Sequence, residues 1–279
     1  MFVTPFVLVF ALVLLAPIGY SIYLTFFQNR LIGGNTFVGL GNYVAVLHDS
    51  QFWTGVGHIL KFFVIQVPVM LLLAIVGALA IDSVRLRGRT FFRIALFLPY
   101  AVPAVVATFM WGFLLGNQFG LLGDLGNALG VKFPNPLGEH LILGAIANIQ
   151  IWSFTGYNLL IFYSALRTIP AELYEAAELD GANAWWVIRS VKLPALRGSI
   201  VIALVFSIIG SFQLFNEPNI LEKIAPNSIT TYYTPNMYAY NLAFGGQQYN
   251  YSATVALVMG VITIAIALGV QYLGNRRDA

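Results

Sequence analysis

Six long apolar stretches without a charged side chain dominate the sequence of this 279-residue chain. They cover residues 2–27, 62–81, 94–115, 141–166, 199–216 and 252–274. Because a helix needs about 20 mainly apolar residues to cross the hydrocarbon core of a bilayer, each stretch predicts one membrane span. We therefore expect an all-α integral membrane protein with six transmembrane helices, built as a single domain over residues 1–279.

The composition supports a membrane protein and argues against an enzyme. Hydrophobic residues make up 59% of the chain and charged residues 9%, against about 45–50% and about 25% in average globular domains. The sequence contains no phosphate-binding loop of the G-x-x-x-x-G-K-[ST] type, so we do not expect it to hydrolyse ATP. It has no cysteine and only three scattered histidines, and we expect neither a metal nor another cofactor.

Basic residues are distributed unequally between the connections, which predicts the orientation of the chain in the cell membrane. Ten follow the second, fourth and sixth stretches, three lie in the other connections, and Lys61 lies near a helix end. The ten are Arg85, Arg87, Arg89, Arg93, Arg167, Arg189, Lys192, Arg197, Arg276 and Arg277. Since cytoplasmic loops are enriched in Lys and Arg, we expect both termini and residues 168–197 in the cytoplasm. The alternative, that the first stretch is a signal peptide, would require a basic start and a small-residue cleavage site, which it lacks.

The polar segment between the fourth and fifth stretches begins with a predicted short helix. Pro170 suits a first helical turn, and Glu172 lies near the positive end of the helix dipole. Leu173, Ala176 and Ala177 follow at helical spacing and predict a small apolar face, with the glutamates on other faces.

A turn and a second short helix are predicted next. Gly181 is expected at the turn, because only glycine adopts a left-handed backbone at little cost, and Asn183 is expected to cap the second helix. Ile188 and Val191 continue its apolar ridge, and we expect Pro194 to end it. Two such helices form a rigid element on which a partner can press. The alternative is an amphipathic helix resting on lipid headgroups, but those helices favour a basic polar face, whereas the first helix here is acidic.

This segment resembles a known motif, and three further motifs point to the same family. Residues 175–194, EAAELDGANAWWVIRSVKLP, resemble the EAA loop of the membrane subunits of ABC-type importers. Residues 37–43, FVGLGNY, resemble the FxGLxNY signature of carbohydrate permeases, and residues 92–99 and 165–170 resemble the third and fourth core spans of that family. In this order and spacing, the motifs resemble the maltose-type carbohydrate importer permeases over nearly the whole chain. Ile188 and Val191 stand where that family commonly has Phe and Ile, and residues 216–221 replace its more usual Gly-Gly-Pro loop.

The resemblance implies the partners and the coupling residues. A member of this family pairs with a second homologous permease, rests on an ABC ATPase dimer and receives its sugar from an extracytoplasmic solute-binding protein. The EAA loop would hold the ATPase. Its matching residues here are Glu175, Ala176, Ala177, Asp180, Gly181, Ala182, Ile188, Val191, Leu193 and Pro194.

Uncharged polar residues within the fourth and fifth stretches are candidates for solute contact. Gln150, Ser153 and Tyr157 fall on one face of the fourth helix, and Ser207 and Ser211 lie one turn apart on the fifth. The resemblance implies that these side chains line the sugar pathway. The alternative is that they join helices, since Ser, Asn and Gln often form hydrogen bonds across membrane bundles.

The third stretch contains Pro99 and Pro103, which predict a broken or kinked helix. Either the break lets backbone carbonyls face the transport pathway, or it is a kink fixed by packing alone. A phosphorylated solute would require basic residues in the pathway, and an ion-coupled transporter would require an intramembrane carboxylate. No apolar stretch contains either, and only Glu217 stands at a border. The sequence therefore favours a permease subunit of a sugar importer, with permeases for other solutes and, after them, ion-coupled transporters as alternatives.

Overall fold

The computed structural model describes residues 2–30, 34–83, 86–117 and 120–275. Arg85, Arg276 and Arg277, which contributed to the predicted orientation, lie outside the described residues. The chain forms two compact units, which are described separately below. The first comprises Met1–Ile59, Phe212–Phe215 and Thr230–Ala265, and the second comprises Leu60–Ser211, Asn216–Ile229 and Ile266–Ala279.

Helices make up most of the described chain, as predicted. In chain order they are α1 Thr4–Phe10, a π-helical turn at Ala11–Leu15, α2 Ala16–Thr25, α3 Gly41–Leu47, α4 Ser50–Asp82, α5 Arg89–Ala101, α6 Ala104–Leu114, α7 Leu121–Leu129, α8 Ile142–Leu166, α9 Ala171–Leu179, α10 Ala184–Val187, a second π-helical turn at Ile188–Lys192, α11 Leu193–Ala195, α12 Arg197–Phe212, α13 Asn216–Ile224, α14 Pro235–Phe244 and α15 Tyr249–Asn275. An antiparallel hairpin of β1 Phe27–Arg30 and β2 Gly34–Phe37 follows α2, with Phe27 opposite Phe37.

Three helical segments of the described residues are long and apolar enough to cross a membrane as single helices, namely Thr4–Thr25, Ser50–Asp82 and Tyr249–Gly274. Two further pairs of helices are bent, namely α5 with α6 and α10–α11 with α12. If each bent pair is counted as one span, the number of spans becomes five. The fourth predicted stretch is the continuous 25-residue helix α8. Its hydropathy is lower because it carries the polar residues Asn148, Gln150 and Asn158 within the bilayer-length segment.

The third stretch is broken, as its prolines predict. Pro103 precedes α6 with an extended backbone, and α5 and α6 meet at an angle of 96°. Proline lacks the amide hydrogen that would continue the helical ladder, and it disfavours a helical conformation of the residue before it. Val102 accordingly adopts an extended backbone.

In the first unit, the FVGLGNY segment fastens the end of the first span. Asn42 is buried, and its Nδ2 donates to the backbone oxygens of Thr25 and Phe27, each at 2.8 Å. The hydroxyl of Tyr43 lies 2.8 Å from that of Thr25. These contacts hold α3 against the junction of α2 and the hairpin, and they require an amide and a phenol at these two positions.

The carboxylate of Asp49 connects three helices of the same unit. Its Oδ2 accepts hydrogen bonds from the hydroxyls of Tyr238 in α14 and Tyr251 in α15, both at 2.7 Å. Its Oδ1 accepts from the backbone amide of Gln51 at the start of α4. Burial raises the pKa of Asp49, but the hydrogen bonds from the two tyrosines and the helix amides outweigh it and hold the pKa below the ordinary value. Asp49 is therefore ionised at neutral pH, and both of its carboxylate oxygens accept hydrogen bonds.

In the second unit, the main core lies between α4, α8 and the beginning of α12. Ala78 and Ile81 of α4, Phe162 and Leu166 of α8 and Leu196 before α12 are almost fully buried in it. α8 also packs closely on α5, because Gly156 has no side chain at the point where the backbone of Leu96 crosses it. Alanine and glycine thus let the helix axes approach, as is common in membrane bundles.

Candidate functional site

A cavity of about 230 Å³ lies between α4, α5, α8 and α12 of the second unit. Its wall consists of aromatic, aliphatic and uncharged polar side chains. They are Phe62, Gln66, Met70, Tyr100, Gln150, Phe154, Tyr157, Asn158, Phe206, Ser207, Gly210 and Ser211. No charged residue is part of this wall.

The cavity brings together most of the residues predicted to contact solute. Gln150, Tyr157, Ser207 and Ser211 lie in its wall, whereas Ser153 of the same helical stretch does not. Helical periodicity places Gln150 and Tyr157 on one face of α8, and Ser207 and Ser211 on one face of α12. That the two faces meet at the cavity, and that Ser153 lies outside its wall, depends on how each helix is rotated about its axis, which periodicity alone does not determine.

Hydrogen bonding separates the polar residues of the wall into two groups. Ser207 Oγ donates to the backbone oxygen of Ala203 at 2.7 Å, and Asn158 Nδ2 donates to that of Phe154 at 3.0 Å. These groups are already satisfied within their own helices. Among the described residues, the hydroxyls of Tyr157 and Ser211 have no hydrogen-bond partner, so both can interact with a molecule in the cavity.

Of the aromatic side of the cavity, only Tyr157 was predicted. Tyr100 stacks on Tyr157 with ring centroids 4.8 Å apart and planes inclined by 21°, and it meets Phe154 edge-on at 5.7 Å. Tyr100 is 41% exposed, although it lies within an apolar stretch. The position of Tyr100 between Pro99 and Pro103 could have indicated a role in the cavity, because a helix that breaks at this point turns its last side chains toward the cavity.

Glu217 lies beside the cavity, at the start of α13. Its side chain is only 6% exposed, and it lies close enough to Gln150 of the cavity wall for the two polar groups to interact. The amide of Gln150 therefore connects the cavity wall to this carboxyl group.

The segment between α8 and α12 forms the predicted pair of short helices around a glycine turn. Gly181 has a φ of 70°, in the left-handed region. Asn183 caps α10 by accepting the backbone amide of Trp186 at 2.9 Å. These two residues therefore act locally as predicted.

The prediction that Pro194 ends the second helix is wrong. The helical chain passes through Ile188–Lys192 as a π-helical turn, includes Pro194 in α11 and bends by 58° into α12. Proline is tolerated in the first turn of a helix, where no helical acceptor requires its amide hydrogen. The π-helical turn lies directly before α11, so α11 begins as a new helical segment with Pro194 in its first turn.

The surface of this segment combines exposed apolar and acidic side chains. Leu173, Leu179 and Trp185 are 51%, 90% and 67% exposed, and Glu175 and Asp180 are exposed near them. Ala177, predicted to face a partner, is instead buried within the chain at 4% exposure. Among the remaining predicted coupling residues, Ala176 and Pro194 are exposed. The half-buried ones are Ala182, Ile188, Val191 and Leu193.

Several helices long and apolar enough to cross a membrane, together with an uncharged polar cavity between them, are features of a membrane transport protein. The chain belongs to the family of binding-protein-dependent transport system inner membrane components, whose model matches residues 1–278. The family resemblance seen in the sequence motifs is thereby confirmed.

Similar proteins include permeases and a solved transporter. The arabinooligosaccharides transport system permease protein AraP of Bacillus subtilis is 32% identical over 275 residues, which cover 96% of this chain and 85% of the relative. The lactose transport system permease protein LacF of Rhizobium radiobacter is 31% identical, over 99% and 93% of the two chains. The crystal structure of a bacterial ABC transporter that imports the acidic polysaccharide alginate superposes with a TM-score of 0.86 at 20% identity, covering 98% of this chain and 93% of that one. This likeness confirms the predicted fold of an ABC importer transmembrane domain.

Proposed function

We propose that this chain is the permease subunit of an ATP-driven, binding-protein-dependent importer of neutral sugars, and that it forms half of the translocation pathway. The observation that carries the proposal is the cavity between α4, α5, α8 and α12. Sugars are recognised by amides and hydroxyls that exchange hydrogen bonds and by aromatic rings that contact the apolar face of the pyranose. Gln150, Tyr157 and Ser211 supply the polar groups, and Tyr100 and Phe154 supply the rings.

The absence of charge in the wall supports a neutral sugar. An acidic sugar or a phosphate ester buried in a membrane protein would need a basic partner, and none of the wall residues is basic. The names of the two relatives, an arabinooligosaccharide permease and a lactose permease, agree with this chemistry. The volume of about 230 Å³ lies below the roughly 300–1,000 Å³ of complete ligand pockets, as expected if a second homologous permease supplies the opposite wall.

The segment from α9 to α11 is proposed to dock an ATPase on the cytoplasmic side. Exposed Leu173, Leu179 and Trp185 favour a protein partner, because large apolar side chains in a patch mark interaction sites. The acidic groups beside them disfavour anionic lipid headgroups. In this arrangement ATP is hydrolysed on the partner, both chain termini are cytoplasmic, and an extracytoplasmic binding protein delivers the sugar.

The proposal is tested by separating sugar contact from energy use. In the assembled, reconstituted transporter, we expect Gln150→Ala with Tyr157→Ala to reduce sugar uptake strongly while basal ATP hydrolysis persists. Each lost hydrogen bond contributes about 0.5–1.5 kcal/mol. Ser153→Ala is the matched control, because Ser153 lies on the same helix outside the cavity wall.

The outcomes also separate the competing interpretations. Loss of assembly in the double variant would mean that the two residues join helices. Uptake that persists without ATP but follows an ion gradient, and that disappears in Glu217→Gln, would instead identify an ion-coupled transporter. Normal uptake by the double variant would contradict the assigned pathway.

A further inference from the structure

An ion pair connects the cytoplasmic end of a span to the segment proposed to dock the ATPase. Lys192 Nζ lies 2.5 Å from Asp82 Oδ2, although the two residues are 110 positions apart in the sequence. Asp82 is the last residue of α4, and Lys192 is the last residue of the second π-helical turn. The two side chains are only 9% and 13% exposed, respectively. The pair is therefore largely removed from solvent and from screening by salt.

Lys192 also contacts the first of the two short helices. Its Nζ lies 5.6 Å from the ring centroid of Tyr174 in α9, within the range of a cation–π interaction. Burial, and then the negative charge of Asp82, raise the pKa of the Tyr174 hydroxyl, while the charge of Arg167 acts in the opposite direction. One ammonium group thus joins α9, the π-helical turn and the end of α4.

An apolar core adjoins this group and holds the same elements together by less directional contacts. Ile81 of α4, Leu166 of α8 and Leu196 between α11 and α12 are each at most 2% exposed in one common core. Apolar side chains hold elements together but allow small sliding movements, because dispersion and hydrophobic contacts have little directional preference. A short, buried ion pair has a defined geometry, and a buried charge separated from its partner is strongly disfavoured. It therefore keeps the turn and α4 in register when either one moves.

We propose that Asp82 and Lys192, with Tyr174, form a coupling link that transfers movement of the docking segment to α4. The inference rests on the proposed function, because it requires an ATPase that moves α9 and α10. α4 contributes Phe62, Gln66 and Met70 to the cavity wall. A displacement of its cytoplasmic end thus reaches the proposed sugar site along a single helix. The two charged residues are positioning residues and contact neither nucleotide nor sugar.

The test compares transport with hydrolysis in the assembled transporter in lipid vesicles. Asp82→Asn and Lys192→Gln each break the pair, and Asp82→Lys combined with Lys192→Asp restores it in reverse. Lys192→Arg keeps the charge and serves as the conservative variant. Arg197→Gln removes a positive charge from an exposed position at the start of α12, outside the docking segment, and serves as the matched control. For each variant, the amount of bound ATPase, the rate of ATP hydrolysis and the sugar taken up per ATP are measured.

We expect the two single variants to bind the ATPase and hydrolyse ATP, but to take up less sugar per ATP by about five-fold or more, the range of ordinary coupling between sites. The reversed pair and Lys192→Arg should recover most of the wild-type ratio of sugar to ATP, and Arg197→Gln should leave that ratio unchanged. An unchanged ratio of sugar to ATP in the single variants would overturn the link. It would also be overturned if the variants lowered only the amount of assembled complex, because the pair would then have a purely structural role. A wild-type complex that imports no sugar would refute the proposed function and this inference with it.

Discussion

Replacing Gly156 with alanine tests the close packing of α8 on α5 that forms one side of the cavity. A Cβ atom at this position would lie 1.9 Å from the backbone oxygen of Leu96, 2.6 Å from its carbonyl carbon and 2.9 Å from the Cα of Phe97. All three are backbone atoms, which cannot rotate away as the end of a side chain can. The two helices would have to separate by roughly 1.5 Å for ordinary van der Waals contact.

This separation has an energetic and a geometric consequence. Overpacking of this kind costs about 1–3 kcal/mol, and here it falls on main-chain atoms, so we expect the upper part of that range. Tyr157 follows Gly156 directly, and Tyr100 lies one helical turn after Leu96. The stack of these two tyrosines, with centroids 4.8 Å apart, would therefore open together with the helices.

The assay is thermal unfolding of the purified transporter together with sugar uptake in vesicles. Gly144→Ala is the matched control, because it lies on the same helix with no atom within 4 Å of the added Cβ. Replacing a helical glycine by alanine in open space is favourable by about 0.5–1 kcal/mol, so the control should be neutral or slightly more stable. Equal stability and uptake of the two variants would refute the packing argument.

Three further predictions concern the docking turn, the orientation and the first unit. Gly181→Val should abolish ATPase association while the subunit still inserts, because the left-handed backbone costs a β-branched residue about 1–3 kcal/mol; normal association would contradict the role of the turn. In this cysteine-free chain, a membrane-impermeant thiol reagent applied to intact cells should label Asn227→Cys and spare Glu178→Cys, and the reverse pattern would invert the proposed orientation. Asp49→Asn should lower the melting temperature at neutral pH. Since the pKa of Asp49 is held below its ordinary value, its contribution to stability is complete above about pH 4 and is lost as the pH falls through the folded-state pKa. The stability difference between wild type and variant should therefore shrink in acid, and a difference independent of pH would count against the hydrogen-bonded carboxylate.

Several local features could be predicted because they depend on a few neighbouring residues. The left-handed turn at Gly181 and the cap at Asn183 follow from backbone preference and side-chain reach. The break at Pro103 follows from the missing amide hydrogen. Pro194 shows the limit of such reasoning, since whether a proline ends a helix or begins its next segment depends on the backbone before it. In this chain a π-helical turn supplies a compatible geometry.

The sequence by itself determined the membrane class, the family and the face of α8 that carries Gln150 and Tyr157, because hydropathy and helical periodicity are properties of consecutive residues. Only the tertiary structure decided that Tyr100 joins this face, that Ser153 does not, and that Asp82 pairs with Lys192. These relations join residues far apart in the chain or depend on the rotation of one helix against another. Both are set by packing over the whole unit, where the small side chains of α8 and α4 determine how closely the helices approach.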